Sequence, residues 1–276
     1  RNNPQYQTVA GQKFSLERIS LQERLPDSER YDVLIHAAET PADARSFGFA
    51  AASAKLLNRL LAYAEQSGVG KVVYLSSGAV YKVDATSAVP FRVEQALKPT
   101  DISDPYAYSK FLNERRLEQF SQSTGIQHVI ARVFNVASKH VPLHGGYALG
   151  NFVRDALQPS AKSIVIQGSG IDKRSFVGGT RLAALLHHCI LRATSGSVFN
   201  CCGTEEVSIL ELAEMVREIS RCQKPMNVKE PRKLAVHYYG ASNVPDAYIS
   251  TKADLRLEIE RLVTFQRDRI GASVFG

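Results

Sequence analysis

Three apolar runs of strand length recur along this chain, at residues 31–38, 71–77 and 127–134, and helix-patterned stretches separate them. That alternation constrains the fold more than any other feature. Strands joined through helices need crossover connections, and crossovers produce a parallel sheet with helices on its faces. A strand in such a sheet is covered on both sides, so it reads as a continuous apolar run. Val33-Leu34-Ile35 and Val72-Val73-Tyr74-Leu75 read that way. The expectation is an α/β fold with a doubly wound parallel sheet. Ligands of such sheets bind beyond the carboxyl ends of the strands. Ala37, Ala38, Ser77 and Asn135 fall at those ends.

The rest of the chain supplies further elements. Helical spacing covers 42–66, with Gly68 as the stop, and 106–123, closed by Gly125. Helices are also expected over 151–157, 180–192, 208–222 and 252–270, the third opened by a capping box of Ser208 and Glu211. Short strands are expected at 163–167 and 197–201. The segment 6–14 reads as one strand, 16–25 as a short helix and 228–248 as irregular.

Chemistry concentrates in Asp104-Pro105-Tyr106-Ala107-Tyr108-Ser109-Lys110-Phe111-Leu112-Asn113-Glu114. The proline marks a helix start, and Tyr106 and Lys110, four apart, share one face of that helix. A phenol titrates near pH 10, too high for a base at neutral pH. A neighbouring ammonium favours the phenolate, so such a pair can exchange a proton with a hydroxyl or carbonyl. Tyr108 is two residues from Lys110 and points elsewhere. The spacing alone also fits a surface tyrosine near a solvated lysine.

Composition excludes other classes. The net charge of +7 suits an anionic ligand, but it is spread along the chain without a Lys/Arg block, which disfavours nucleic-acid binding. No apolar run approaches the ~20 residues of a membrane span, and the start carries no signal-peptide pattern. Cys189, Cys201, Cys202 and Cys222 lack disulfide-framework spacing, which points to a reducing, cytoplasmic setting. His187-His188-Cys189 lies inside a helical run, where adjacent residues diverge, so no metal site is expected.

The motifs Leu34-Ile35-His36-Ala37-Ala38, Val73-Tyr74-Leu75-Ser76-Ser77-Gly78-Ala79-Val80-Tyr81, the Pro105 to Glu114 stretch and Arg132-Val133-Phe134-Asn135-Val136 occur in one order. That order resembles the extended short-chain dehydrogenase/reductase family, the nucleotide-sugar epimerase, dehydratase and reductase group. Gly168-Ser169-Gly170 through Arg174-Ser175-Phe176-Val177 resembles its phosphate-contact turn. The resemblance implies a Rossmann-type dinucleotide-binding domain over 1–144. It implies a smaller α+β substrate lobe over 145–276, with segments near 180–201 returning to the sheet. Ser77, Tyr106 and Lys110 would be catalytic. Ala37, Ala38, Phe134, Tyr106 and Lys110 would hold NAD or NADP. Ser77, Asn135, Asn151 and Arg174 would meet a nucleotide-diphosphate sugar. A homodimer is expected by the same likeness. Read as residues alone, Asn135 also fits a turn former, Asn151 a helix cap, Arg174 a loop ion pair and Ser77 a turn hydroxyl.

Departures from the pattern sharpen the reading. The Gly-rich turn that should follow the first strand is absent, since Gly11 stands alone before Ala37, and about one strand-helix-strand unit of ~30 residues is missing. The expectation is that this sequence lacks the unit, not that the protein does. Ser77-Gly78-Ala79 carries no carboxylate where the dehydratases of the family have an acidic pair, which disfavours dehydration. Gly179-Thr180-Arg181 and Lys82 also depart from the family pattern. Epimerisation ranks slightly ahead of keto-sugar reduction, with carbon 4 of the sugar as the expected reacting position. The competing class is a non-catalytic dinucleotide sensor or scaffold of the same fold, which would have no need of Ser77, Tyr106 and Lys110 together.

Overall fold

Burial on both faces decides where the central strands sit, and the alternation of side chains shows it. The computed structural model describes residues 5–9, 12–16, 25, 30–38, 47–81, 90–95, 104–144, 146–230 and 235–274. The elements in chain order are β1 (Gln5–Val9), β2 (Gln12–Leu16), β3 (Val33–His36), α1 (Phe47–Gln66), β4 (Lys71–Ser77), a 3-10 turn (Gly78–Val80), α2 (Pro105–Thr124), β5 (Gln127–Val133) and β6 (Asn135–Ala137). Then come α3 (Ala148–Leu157), β7 (Ile164–Ile166), β8 (Lys173–Arg174), β9 (Phe176–Gly178), α4 (Gly179–Leu191), β10 (Ser197–Cys201), β11 (Val207–Ser208) and α5 (Ile209–Ile219). The last are β12 (Met226–Val228), β13 (His237–Tyr238), a second 3-10 turn (Asp246–Tyr248) and α6 (Lys252–Val274).

β10, β5, β4 and β3 form one parallel sheet in that order. Val72, Tyr74 and Ile130 face a core with Leu57, Leu61 and Ala64 of α1 and Leu117 of α2. Val73, Val129 and Ala131 face the opposite core, with Leu185 and Cys189 of α4. Helices therefore cover both faces, and the sheet is doubly wound and Rossmann-type. A separate core joins Phe152 and Val153 of α3, Ile164 and Ile166 of β7, Leu212 and Val216 of α5, and Ile259 and Leu262 of α6. No helix among the described residues is long and apolar enough to cross a membrane.

Some expectations change. Residues 6–14 are not one strand: β1 and β2 are an antiparallel pair, with Val9 opposite Gln12. The helix expected over 16–25 begins inside β2 at Leu16, and 17–24 lie outside the described residues. The run 31–38 is a shorter strand and not a buried one, because β3 is the edge of the described sheet; Ile35 is 43% exposed. The helix expected from 42 is described only from Phe47. α3 begins three residues before Asn151, and α6 runs to Val274. The segment 228–248 is not wholly irregular, because β13 pairs with β8.

Candidate active site

The start of α2 sets the register of the site. Asp104 accepts from the backbone N–H groups of Tyr106 at 2.9 Å and Ala107 at 3.2 Å, and Pro105 occupies the first turn. Gly125, at φ 76°, closes the helix in a conformation that favours glycine. Tyr106, Lys110 and Glu114 then fall on one stripe. Lys110 is buried, and its Nζ donates to the Leu75 carbonyl of β4 at 3.1 Å. The same Nζ lies 5.7 Å from the centre of the Tyr106 ring and 5.1 Å from that of Tyr74. The Phe49 ring of α1 also lies beside Tyr106, with ring centres 5.9 Å apart. The ammonium is thus pinned between the phenol and a strand that ends two residues later at Ser77.

Beneath this stripe lies a buried ion pair that the sequence reading did not identify. Glu114 is 0% exposed and Arg132 of β5 is 4% exposed. Arg132 Nη1 reaches the Tyr81 hydroxyl at 2.6 Å, Tyr81 bonds Asn200 Oδ1 at 2.8 Å, and Ser76 donates to Glu114 Oε1 at 2.5 Å. Burial raises the Tyr81 pKa, opposed by Arg132, so this phenol stays neutral. The network fixes α2 against β4, β5 and β10 directly below the catalytic candidates. Its signal was present in the sequence: Arg132 interrupts an apolar strand, and a charge there needs a partner.

Ser77 is buried at the end of β4, and its Oγ accepts from Ala79 N–H at 3.1 Å while it caps the 3-10 turn. Gly78 permits this turn to pack under Phe134: a Cβ there would stand 2.7 Å from the Phe134 ring. Phe134 is buried, its ring centre 5.0 Å from that of Tyr238. Burial raises the Tyr238 pKa, with the nearby Ser77 hydroxyl and the Arg174 charge acting in the opposite direction and Tyr106 adding to it. Arg174 lies with its Cζ 5.8 Å from the Tyr238 ring centre, and its Nη1 donates to the carbonyls of Lys173 and Val236 at 2.8 and 3.0 Å. Burial lowers the Arg174 pKa, with Asp172 and Tyr238 acting in the opposite direction. Ser77, Tyr106, Lys110, Phe134, Arg174 and Tyr238 therefore form one neighbourhood. Tyr238 went unread because it sits in a segment without periodicity.

The other candidates distribute as follows. Parallel pairing sets His36 beside Tyr74 and Ser77 beside Val133, so the ends of β3, β4 and β5 share an edge. Ala37 is exposed there and Ala38 half-buried. His36 is 2% exposed, and neither ring nitrogen has a hydrogen-bond partner among the described residues. Burial, and then the Lys110 charge, lowers its pKa to about 4. Asn135 uses its amide to hold the Ser175 carbonyl at 3.0 Å, next to Arg174. Asn151 lies on α3, where its Oδ1 accepts from Arg154 at 3.1 Å; that contact is local to its helix.

Comparison with known proteins agrees with this architecture. The chain is 24% identical over 217 residues to human dTDP-D-glucose 4,6-dehydratase, covering 77% of this chain and 59% of that protein. It is 26% identical over 189 residues to GDP-6-deoxy-D-mannose reductase of Pseudomonas aeruginosa, covering 64% and 58%. The chain thus spans about six tenths of the length of these relatives. Among solved structures, RMD from Pseudomonas aeruginosa complexed with NADPH shares the fold with a TM-score of 0.79 at 21% identity, covering 92% of this chain and 88% of that one. The UDP-glucose 4-epimerase of Thermotoga maritima with UDP-glucose gives 0.74 at 20% identity, covering 87% and 78%. The sequence pattern of the NAD dependent epimerase/dehydratase family matches residues 2–202, more than half of the chain, and the chain belongs to that family.

Proposed function

We propose that this protein uses NAD or NADP to move a hydride at a sugar carbon, best read as carbon 4, of a nucleotide-diphosphate sugar. The observation that carries the reading is the Lys110 ammonium, buried, bonded to the Leu75 carbonyl and set beside the Tyr106 ring. An ammonium there favours a phenolate on Tyr106, as it disfavours a second cation on His36. Tyr106 is then the acid or base for the sugar hydroxyl, and Ser77 donates a hydrogen bond to the oxygen on which charge develops.

The residues fit the nicotinamide end of such a cofactor. Ala37 and Ala38 leave the edge of β3 accessible, and Lys110 offers an ammonium near it. The residues that would hold it are Ala37, Ala38, Tyr106, Lys110 and Phe134. When bound, the dinucleotide supplies the hydride acceptor or donor. Asn135 holds the carbonyl of Ser175, the residue after Arg174, and both Asn135 and Arg174 would meet the diphosphate, for which a guanidinium offers planar paired donors. Asn151 would act from α3. Residues 145–276, apart from the segments near 180–201 that return to the parallel sheet, are read as the lobe that binds the sugar.

Gly78 supports placing dehydration last. No larger residue fits under Phe134 without movement, so a carboxylate following Ser77 would need a different packing. Epimerisation is favoured slightly over reduction. Both use the same residues.

Thermal shift tests the reading. Each of NAD+, NADH, NADP+ and NADPH is added with and without a panel of nucleoside diphosphates. A ligand at 100 times its dissociation constant stabilises by about 2.7 kcal/mol. A rise with one dinucleotide, increased by one nucleotide, is expected; no rise with any dinucleotide would contradict the proposal.

A further inference from the structure

A cavity of about 600 Å³ lies between β6, the start of α4 and α6. It shares no lining residue with the neighbourhood of Ser77, Tyr106, Lys110 and Arg174. Its volume is within the range of small-ligand sites. Gly179 shapes it: a Cβ there would stand 2.6 Å from Ser138 Cβ, so glycine lets the turn after β6 pack against the start of α4. Ser138 closes that turn, its Oγ accepting from the His140 N–H and its carbonyl from the Val141 N–H, both at 3.2 Å. Gly179 and Thr180, where the chain departs from the family pattern, stand in the cavity wall.

The wall has two chemistries. Val136 of β6 and Leu182, Ala183 and Leu186 of α4 form an aliphatic side. Lys139, His140 and Arg261 form a basic side. Glu258 also lines the cavity, but its carboxylate is already committed. Its Oε1 accepts from the Thr180 N–H at 3.3 Å, the Thr180 hydroxyl at 2.8 Å and Arg261 Nη1 at 3.0 Å. It thereby caps the N-terminus of α4, so the helix end itself offers a ligand little. Arg261 spends only Nη1, on Glu258 and on the Thr180 hydroxyl at 2.9 Å; among the described residues its other guanidinium nitrogens bond nothing. Lys139 has no carboxylate partner among the described residues. Its Nζ stands 5.8 Å from the centre of the Phe265 ring, and Arg269 Cζ stands 5.7 Å from the same centre, so a further cation lies beside the cavity. Positive charge here exceeds negative, and it borders an aliphatic surface.

We propose that this cavity binds an amphiphilic anion. A phosphate or carboxylate head would meet Lys139 and the unused edge of Arg261, for which a planar guanidinium is suited. An aliphatic body would cover Val136, Leu182 and Leu186 and leave water. The site is separate from the sugar chemistry but backs onto it. Successive side chains of a strand face opposite sides, so Val136 lines the cavity while Asn135 turns to the Ser175 carbonyl.

The test is calorimetric titration of the full chain with octyl phosphate below its micelle concentration, beside octyl glucoside and inorganic phosphate. One octyl phosphate per chain is expected, with both controls weaker by about tenfold or more. Lys139→Glu reverses the charge at the head, and Ala183→Glu puts a carboxylate on the aliphatic side; both positions are exposed, so the fold should persist. Each should weaken octyl phosphate about tenfold. A saturating nucleoside diphosphate should leave its affinity unchanged.

No binding by the wild type would overturn the proposal, and so would equal affinity for octyl glucoside or wild-type affinity in both variants. Displacement by the nucleoside diphosphate would place the ligand in the catalytic cleft and also overturn it. Sedimentation with anionic vesicles without binding of monomeric octyl phosphate would mean a membrane-facing surface instead of a ligand cavity. None of these outcomes bears on Tyr106 and Lys110, whose roles are read from turnover.

Discussion

Arg132 grips Glu114 with two hydrogen bonds, Nε to Oε1 at 3.1 Å and Nη2 to Oε2 at 2.9 Å, at a place where neither side chain reaches solvent. A fork-on-carboxylate pair of this kind is geometrically specific. Burying it costs nearly as much as its attraction returns, so its importance shows only when one partner is removed. Arg132→Met should leave Glu114 uncompensated and cost about 3–5 kcal/mol. At roughly 2–4 °C per kcal/mol for a chain of this size, the midpoint should fall by about 10 °C. Removing both charges in Glu114→Leu/Arg132→Met should recover much of that loss. Thermal unfolding of the three variants decides it; a single variant within 1 kcal/mol of wild type would contradict this account of the pair.

Gly78 is a second point of leverage. In Gly78→Ala the added methyl meets three carbons of the Phe134 ring at 2.7 Å, and that ring also supports Tyr238. The ring must shift, at a cost of about 1–3 kcal/mol. Because Ser77 is the neighbouring residue, turnover should drop by at least about tenfold while the chain remains folded. Circular dichroism and steady-state rates measured together would show it; normal rates would mean that Ser77 is not held by this packing.

His36 predicts a pH effect with a definite sign. Its pKa falls from the usual 6.5 to about 4 on folding, chiefly through burial. Between those values the unfolded chain binds a proton that the folded chain refuses. His36 therefore withdraws stability as pH drops from 6.5 toward 4, by roughly 3 kcal/mol, and contributes no such loss above 6.5. Urea unfolding of His36→Leu beside wild type should show the variant gaining on wild type by about that amount over this window. Parallel pH profiles for the two would contradict the buried, neutral imidazole.

Much of this was legible in the sequence, for physical reasons. The runs at 71–77 and 127–134 announce buried strands because helices cover both their faces, and Asp104-Pro105 and Gly125 bracket α2 through local capping. Helical spacing puts Tyr106 and Lys110 on one face, and the order of the surrounding motifs, not the spacing alone, marked them as a catalytic pair. What was missed depends on partners distant in sequence. The run 31–38 looks like a central strand, but an apolar run does not reveal that β3 lies at the edge of the described sheet. Gly11, inside the run 6–14, was a turn signal that the single-strand reading passed over. Tyr238 belongs to a two-residue strand defined only by pairing with β8, so no local pattern could mark it. Arg132 lay between these cases: it was an anomalous charge in an apolar strand, and only the fold supplies Glu114 as its partner.

The central claim is that Tyr106 moves the proton at the sugar. Tyr106→Phe keeps the ring beside Lys110 and Phe49 and removes the hydroxyl. The decisive measurement is its turnover of the nucleotide sugar identified by thermal shift, with dinucleotide affinity followed in parallel. The account predicts a fall in kcat of about 100- to 10,000-fold with dinucleotide affinity retained. Undiminished turnover would contradict it.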